Sequence, residues 1–273
     1  MKSIFFENKW YESNALLFKA SNRGFKYGDA LFETISFSDN TIWFIEHHLD
    51  RLNNASQVLK LHIPKDLNAD KLKKLCQDFT TKYGIEHGSL RLQLFRLYGD
   101  KYTPKGKDSS YLIEFNTHET ALFGAKTQGQ TAISFHEHLV QSHSPLSNLK
   151  SANSLIYILA KDYALSTDRN DCILYNDQKQ IVEFSSSNIY LDMGDQILTP
   201  PLYSGCLDGI IRRMILQQSQ IQIKEADLSA EDLKQANAVY SSNAIEGFKW
   251  YSTIDDLTFS KGRAELLNKI LRP

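Results

Sequence analysis

Paired cysteines are what the sequence most plainly lacks. Cys76, Cys172 and Cys206 stand far apart in a chain of 273 residues, and no C-x-x-C pair occurs. That excludes a dithiol redox centre and a zinc site built on paired cysteines, and it suits a reducing compartment. An excess of one charge is lacking as well: 31 Lys+Arg face 32 Asp+Glu, for a net charge of -1, with no long basic run. Nothing here offers a footprint for a phosphate backbone or an anionic membrane surface. Long hydrophobic runs are absent too. The opening MKSIFFENKW has one early lysine and a short apolar run at residues 4–6, far below a signal h-region or the roughly 20 residues of a spanning helix. The expectation is a cytoplasmic protein with neither nucleic acid nor membrane as a partner. Internal repeats and low-complexity segments are also missing. What is present is a 42% hydrophobic content, enough to bury a substantial core in one large or two modest domains.

The chain reads as two halves. In the first, strand-like stretches at residues 3–7, 30–36 and 41–45 include a hairpin around Ser38, Asp39 and Asn40. Leu49, Leu52, Ser56 and Leu59 then fall at helical spacing, as do Leu72, Leu75, Cys76, Phe79 and Tyr83 before Gly84. Strands at 90–98 and 111–115 complete a sheet on which both helices should lie. The polar stretch 117–131 reads as a linker, which predicts domains 1–121 and 122–273. The second half opens with a strand at 132–136 and a helix at 152–165. Short β-rich runs follow at 172–176, 180–184, 187–192 and 196–198. Helices are expected at 207–218, after the Ser229/Asp232 capping box, and at 261–272. The fold class is α/β (α+β), with a smaller α/β N-terminal domain and a larger, sheet-rich C-terminal one.

Lys150 sits where a polar loop meets the second-half helix, in SNLKSANSLIYILAKDYA. A helix N-terminus carries partial positive charge, and both this and desolvation favour the neutral amine. Such a lysine is a candidate Schiff-base nucleophile, later free to act as a general base. An ordinary surface lysine is the alternative from position alone.

Five ordered segments change the balance. They are RGFKYGDALFET from Arg23, FIEHHLDRL from Phe44, the Lys150 segment, IVEFSSSNIY from Ile181, and LTPP from Leu198 followed by GCLDGIIR from Gly205. Together they resemble the fold-type IV pyridoxal-phosphate enzymes, among them branched-chain aminotransferases, D-amino acid aminotransferases and 4-amino-4-deoxychorismate lyases. The resemblance implies a two-domain enzyme with pyridoxal 5'-phosphate in the cleft between domains. It also implies a small-molecule amino substrate and a homodimer. By the same resemblance Lys150 holds the cofactor as an aldimine, Glu183 pairs with its ring nitrogen, and Arg51, Gly209, Ile210, Ile211 and Asn243 complete its binding site. The chemistry fits the residue types. A carboxylate keeps the ring nitrogen protonated and the ring an electron sink, amide N–H groups suit a phosphate, and arginine offers it a planar fork. Two positions depart from the pattern: Ile211 replaces a usual hydroxyl residue, and Phe184 replaces a frequent glycine.

Substrate-facing positions separate the relatives. Branched-chain aminotransferases carry a tyrosine five residues after the lysine, where this chain has Leu155, and a glycine in F-E-G-I, where it has Thr34. D-amino acid aminotransferases hold the substrate carboxylate with tyrosine, arginine and histidine; the matching residues are Phe32, Lys101 and Thr103. Lysine for arginine is not conservative at a bidentate site. Lys101, Tyr102, Thr103 and Pro104 look more like the R-G-Y-S-P region of the lyases, with one residue missing, and the Ser242 to Ile245 stretch looks like their C-N-A-L. Phe32, Lys101 and Tyr102 are therefore the substrate candidates, and the lyase is the favoured activity over an aminotransferase or a non-catalytic binding descendant of the fold. Glu46, His47 and His48 lack metal-ligand spacing, and Ser185, Ser186 and Ser187 lack a nucleophile elbow.

Overall fold

The computed structural model describes residues 2–125 and 127–271. Lys126, inside the expected linker, and Arg272, the expected end of the last helix, lie outside the described residues. The residues up to Ala121, joined by Lys150–Asn153, form one compact unit; Leu122–Leu149 and the residues from Ser154 onward form the other.

The first unit contains β1 (Lys2–Phe6), β2 (Lys9–Glu12), α1 (Arg23–Tyr27), β3 (Ala30–Ser38), β4 (Thr41–Ile42), α2 (Ile45–Val58), α3 (Ala69–Tyr83), β5 (His87–Arg96), β6 (Gly99–Asp100), β7 (Thr103–Pro104) and β8 (Ser109–His118). Six of the strands form an antiparallel sheet in the order β2-β1-β8-β5-β3-β4. The β3–β4 hairpin turns on Asp39 and Asn40 at φ 49° and 61°, the left-handed pair a two-residue turn demands. The strand expected at 41–45 stops at Ile42, because Phe44 at φ 55° redirects the chain into α2. Periodicity decides the helices. Leu72, Leu75, Cys76 and Phe79 make the buried stripe of α3, and Gly84 at φ 63° closes it with its N–H on the Thr80 carbonyl. Phe79 anchors α3 to the sheet by stacking on Phe115 of β8, ring centroids 4.7 Å apart.

The second unit contains β9 (Gln130–Val140), α4 (Leu155–Ser166), β10 (Asp171–Asn176), β11 (Ile181–Phe184), β12 (Ser187–Asp192), β13 (Ile197–Thr199), α5 (Ile210–Leu216), β14 (Ile223–Glu225), α6 (Ala230–Gln235), β15 (Ala238–Asn243), β16 (Gly247–Ile254), β17 (Leu257–Thr258) and α7 (Ala264–Ile270). Its pairing path closes on itself: β11-β10-β9-β16-β15-β12, with β12 returning to β11, while β13 and β14 extend from β12. Closure removes the edges that an open sheet would leave unpaired. Strand alternation sorts the side chains into two clusters. Ile173 and Tyr175 join Ile189, Leu191, Val239 and Tyr251. Cys172 and Leu174 join Phe135, Ala160, Ala164 and Cys206 against α4.

One irregularity positions a candidate residue. Leu174 pairs with Glu183 but Tyr175 pairs with Ile181, so Val182 is an extra residue, a β-bulge in β11. Strict alternation from Ile181, which belongs to the first cluster, would send Glu183 into that same apolar cluster. The bulge resets the phase, so Val182 packs with the α4 cluster, Phe184 returns to the first, and Glu183 turns toward Tyr157 on α4.

Candidate active site

In the first unit the Lys150 segment lies along the start of β3. Ser151 bridges Leu31, the Phe32 N–H donates to the Lys150 carbonyl at 2.8 Å, and the Ala152 N–H donates to the Ala30 carbonyl at 2.9 Å. Because β4 is only two residues long, Ala30, Leu31 and Phe32 have no β4 partner on that side, and the Lys150 segment takes the place. This corrects the helix-dipole argument. The helix expected from 152 begins at Leu155, so Lys150 is held by strand-like pairing and not by a helix N-terminus. Its Nζ lies 4.4 Å from the centroid of the Phe32 ring, and the Arg91 guanidinium lies 3.8 Å from the same centroid. Desolvation lowers the pKa of Arg91, opposed by Glu114.

Arg51, on α2, is buried and directs its fork at Glu33 of β3. Its Nε donates to Oε1 at 2.8 Å and its Nη2 to Oε2 at 2.6 Å. His48, one turn earlier on the same helix, completes the cluster with Nδ1 2.6 Å from Glu33 Oε2. The carboxylate only accepts, so Nδ1 is the donor, and the buried Nε2 has no hydrogen-bond partner among the described residues. Burial opposes ionisation of Glu33, but Arg51 and His48 outweigh it and bring the carboxyl down to about 2. Burial also holds His48 below its ordinary value, against the pull of Glu33. Glu33 and His48 were not singled out by the sequence reading as partners of Arg51. Their spacing is the available signal: Glu33 sits in mid-strand where alternation points inward, and His48 precedes Arg51 by three residues.

The cluster predicts acid sensitivity. A carboxyl depressed from 4.5 to about 2 contributes stability that is complete above pH 4.5 and is lost as pH falls toward 2. His48, held below 6.5 when folded, adds an earlier loss, because below pH 6.5 the unfolded imidazole takes a proton that the folded one refuses. Urea midpoints should therefore fall from pH 7 to pH 5 and further to pH 3; a flat profile over that range would contradict the assignment.

Lys101 follows β6 at φ 35°. Its side chain is exposed, while its carbonyl accepts from Arg23 Nη1 at 2.9 Å. Tyr102 is 88% exposed, its ring 5.8 Å from that of Tyr27. Neither is built into the packed part of the first unit.

In the second unit Glu183 is 2% exposed. Its Oε1 accepts from the Tyr157 hydroxyl at 2.9 Å and its Oε2 from the Leu207 N–H at 3.1 Å. Hydrogen bonds of this kind favour the charged carboxylate against burial. The loop carrying Leu207 is strapped down: Asn188 Nδ2 donates to the Leu207 carbonyl at 2.8 Å, and Asn148 Nδ2 donates to Leu202 and Cys206 carbonyls at 2.8 and 2.7 Å. Gly209 caps α5, which contains the buried Ile210 and Ile211. A Cβ at position 209 would overlap the Asn188 amide oxygen, so glycine is required for loop and strand to approach. Asn243 closes the β15–β16 turn, Oδ1 accepting from the Ile245 and Glu246 amides at 3.0 and 2.8 Å and Nδ2 donating to Ser187 Oγ at 3.1 Å. Tyr157 is the residue that sequence reasoning passed over: the tyrosine sought at 155 is an exposed leucine, and a hydroxyl two positions later reaches Glu183.

Among the described residues no helix is long and apolar enough to cross a membrane, and no cluster of His, Cys, Asp and Glu is placed to hold a metal. Comparison with known proteins identifies the family. D-alanine aminotransferase of Listeria monocytogenes is 24% identical over 253 residues, 89% of this chain and 84% of that protein. Aminodeoxychorismate lyase of Vibrio harveyi is 23% identical over 230 residues, 83% of each. The structure of an aminotransferase from Brucella abortus bound to pyridoxal phosphate shares the fold at a TM-score of 0.84 and 17% identity, covering 99% of this chain and 97% of that one. A family model for class IV amino-transferases matches residues 30–248, a span that includes Glu33, Arg51, Lys150, Glu183 and Gly209, and the chain belongs to that pyridoxal-phosphate-dependent family.

Proposed function

We propose that the protein is a pyridoxal-phosphate-dependent lyase that converts 4-amino-4-deoxychorismate into pyruvate and 4-aminobenzoate, a step on the folate route, and that it works as a homodimer. The carrying observation is the combination of class IV membership with absence of the carboxylate trap of D-amino acid aminotransferases. Phe32 lacks a hydroxyl and sits under Lys150 and Arg91, while Lys101 and Thr103 are exposed. The exposed Leu155 likewise removes the tyrosine of the branched-chain enzymes. The relative named aminodeoxychorismate lyase points the same way.

The residues present fit the cofactor. A buried carboxyl at Glu183 whose two oxygens accept from Tyr157 and from the Leu207 N–H is suited to pair with a ring nitrogen. The crowded glycine at 209 and the amides of Ile210 and Ile211 suit a phosphate, and Asn243, which holds the β15–β16 turn, is proposed as a further cofactor contact. Arg51, whose fork is engaged by Glu33, is proposed as the cation for that phosphate, the role the resemblance implies for it. When bound, the cofactor supplies a carbonyl for the substrate amine and an electron sink. In this reading Lys150 attaches the cofactor, gives way to the substrate amine, and as a free amine takes the proton from the amine-bearing ring carbon. Glu183 keeps the ring nitrogen protonated meanwhile. Phe32 walls the substrate, and Lys101 and Tyr102 border it. Loss of the enolpyruvyl group is driven by aromatisation of the product.

A second reading, an aminotransferase for a branched-chain or D-amino acid, is favoured by the similarity to D-alanine aminotransferase over 89% of the chain. There the same Lys150 would return the proton to a different carbon. Incubating the purified protein with pyridoxal phosphate and 4-amino-4-deoxychorismate, and following 4-aminobenzoate, separates the two. No product from a protein that shows the visible absorption of lysine-bound cofactor would reject the lyase and leave the aminotransferase. A colourless protein that takes up no cofactor would reject both and leave a binding descendant of the fold.

A further inference from the structure

The bulge at Val182 turns Glu183 out of the apolar cluster and against α4. Among its partners there are two donors of different kinds. The Leu207 N–H belongs to the backbone of a loop tied by Asn188 and Asn148. The Tyr157 hydroxyl belongs to a side chain in the first turn of α4 whose ring packs on the cluster of Phe135, Leu174, Val182 and Cys206. A carboxyl only 2% exposed is pushed toward its neutral form by desolvation, and donors aimed at its two oxygens push it back. Tyr157 cannot answer by losing its own proton: burial, and next the charge of Glu183, raise its pKa well above 10. Cys206, which also raises the pKa of Tyr157, is itself held at about 12 chiefly by burial and stays a neutral thiol.

We infer that Tyr157 is a positioning residue: by donating to Oε1 it keeps Glu183 ionised and aimed, so that the proton shared between Glu183 and the cofactor's ring nitrogen stays on the nitrogen. The inference rests on the proposed pairing of Glu183 with that nitrogen. Without the hydroxyl, the buried carboxyl has one donor fewer to offset its desolvation. The shared proton then moves toward Glu183, and the ring becomes a poorer electron sink. The device differs from a tyrosine on the cofactor's own phenolic oxygen, since it acts through the carboxylate.

The test is to load wild type, Tyr157→Phe, Glu183→Gln and Tyr163→Phe with pyridoxal phosphate carrying 15N in the ring, and to read the ring 15N chemical shift together with turnover. Tyr163 packs on the same cluster from the same helix and controls for loss of a tyrosine. The expected result is a protonated ring in wild type and Tyr163→Phe, and a displacement toward the unprotonated position in both Tyr157→Phe and Glu183→Gln. Turnover of Tyr157→Phe should fall about ten- to a hundredfold, the range for one charge-assisted hydrogen bond. If Glu183→Gln moves the resonance and Tyr157→Phe does not, the inference about Tyr157 is wrong while the Glu183 pairing stands. If Glu183→Gln leaves the resonance in place, the pairing itself fails and the inference with it. A Tyr157→Phe variant that is folded by circular dichroism but takes up no cofactor also overturns it, because the assigned role leaves attachment intact.

Discussion

Lys150→Ala is expected to lose covalent cofactor attachment and to reduce turnover by at least about 10⁴-fold, the upper range for a general acid–base group, since attachment is lost as well. Stability should barely change. The lysine is tied to β3 through its backbone, the Phe32 N–H on its carbonyl and the Ala152 N–H on Ala30, and alanine keeps those bonds. Among the interactions of the side chain is a cation–π contact at 4.4 Å on Phe32, worth about 0.5–1 kcal/mol at a partly exposed site, while its charge acts unfavourably on the imidazolium form of His48. The measurement is the visible absorption of the loaded protein, before and after borohydride reduction, beside an assay of 4-aminobenzoate or keto-acid formation. Lys161→Ala is the control, because Lys161 donates to the Asn170 carbonyl at the far end of α4. Full activity in Lys150→Ala, or loss of attachment in Lys161→Ala, would remove Lys150 from the role proposed for it.

How far the sequence alone carries depends on the range of the interaction that decides each feature. The helices α2 and α3 were legible because their apolar stripes and the Gly84 stop are local. The same holds for the capping box of α6, where Ser229 and Asp232 bond reciprocally. The strands β15 and β16 were not recognised, although both are largely buried. Their environment is set by partners far off in sequence, such as β12 and β9, and a strand buried on both faces loses the alternation that would mark it. At the candidate site, residue types carried Lys150 and Glu183, but not their surroundings. Lys150 was read against the helix beside it in sequence, whereas its fixing bonds go to a strand about 120 residues earlier. Glu183 faces Tyr157 only because one extra residue in β11 shifts the alternation, and a bulge leaves no mark in composition. The fork of Arg51 was given to a phosphate; the structure directs it at Glu33, a partner that only tertiary folding brings near.

That last point sets up the largest expected effect on stability. Glu33→Ala removes the only carboxylate hydrogen-bonded to both Arg51 and His48 among the described pairings, and takes from a buried guanidinium the carboxylate its fork is directed at. Breaking a buried pair by removing one partner costs about 3–5 kcal/mol, which in a chain of this size lowers the melting temperature by roughly 10 °C. Glu33→Gln should cost less, since the amide oxygen still accepts one of the two arginine bonds. Replacing the cluster as a unit, Glu33→Leu with His48→Leu and Arg51→Met, should recover most of the stability, because apolar side chains of similar volume avoid the desolvation that the ion pair must offset. The single and triple variants together separate structure from chemistry. If Arg51 also meets the cofactor phosphate, the triple variant is stable yet binds pyridoxal phosphate at least about tenfold more weakly, the loss of a charge-assisted contact. If Arg51 serves the fold alone, the triple variant binds the cofactor as wild type does, and Arg51 leaves the phosphate site. A Glu33→Ala protein as stable as wild type would show instead that the buried guanidinium finds a new partner at no cost, and the reading of this cluster as an interdependent unit would fall.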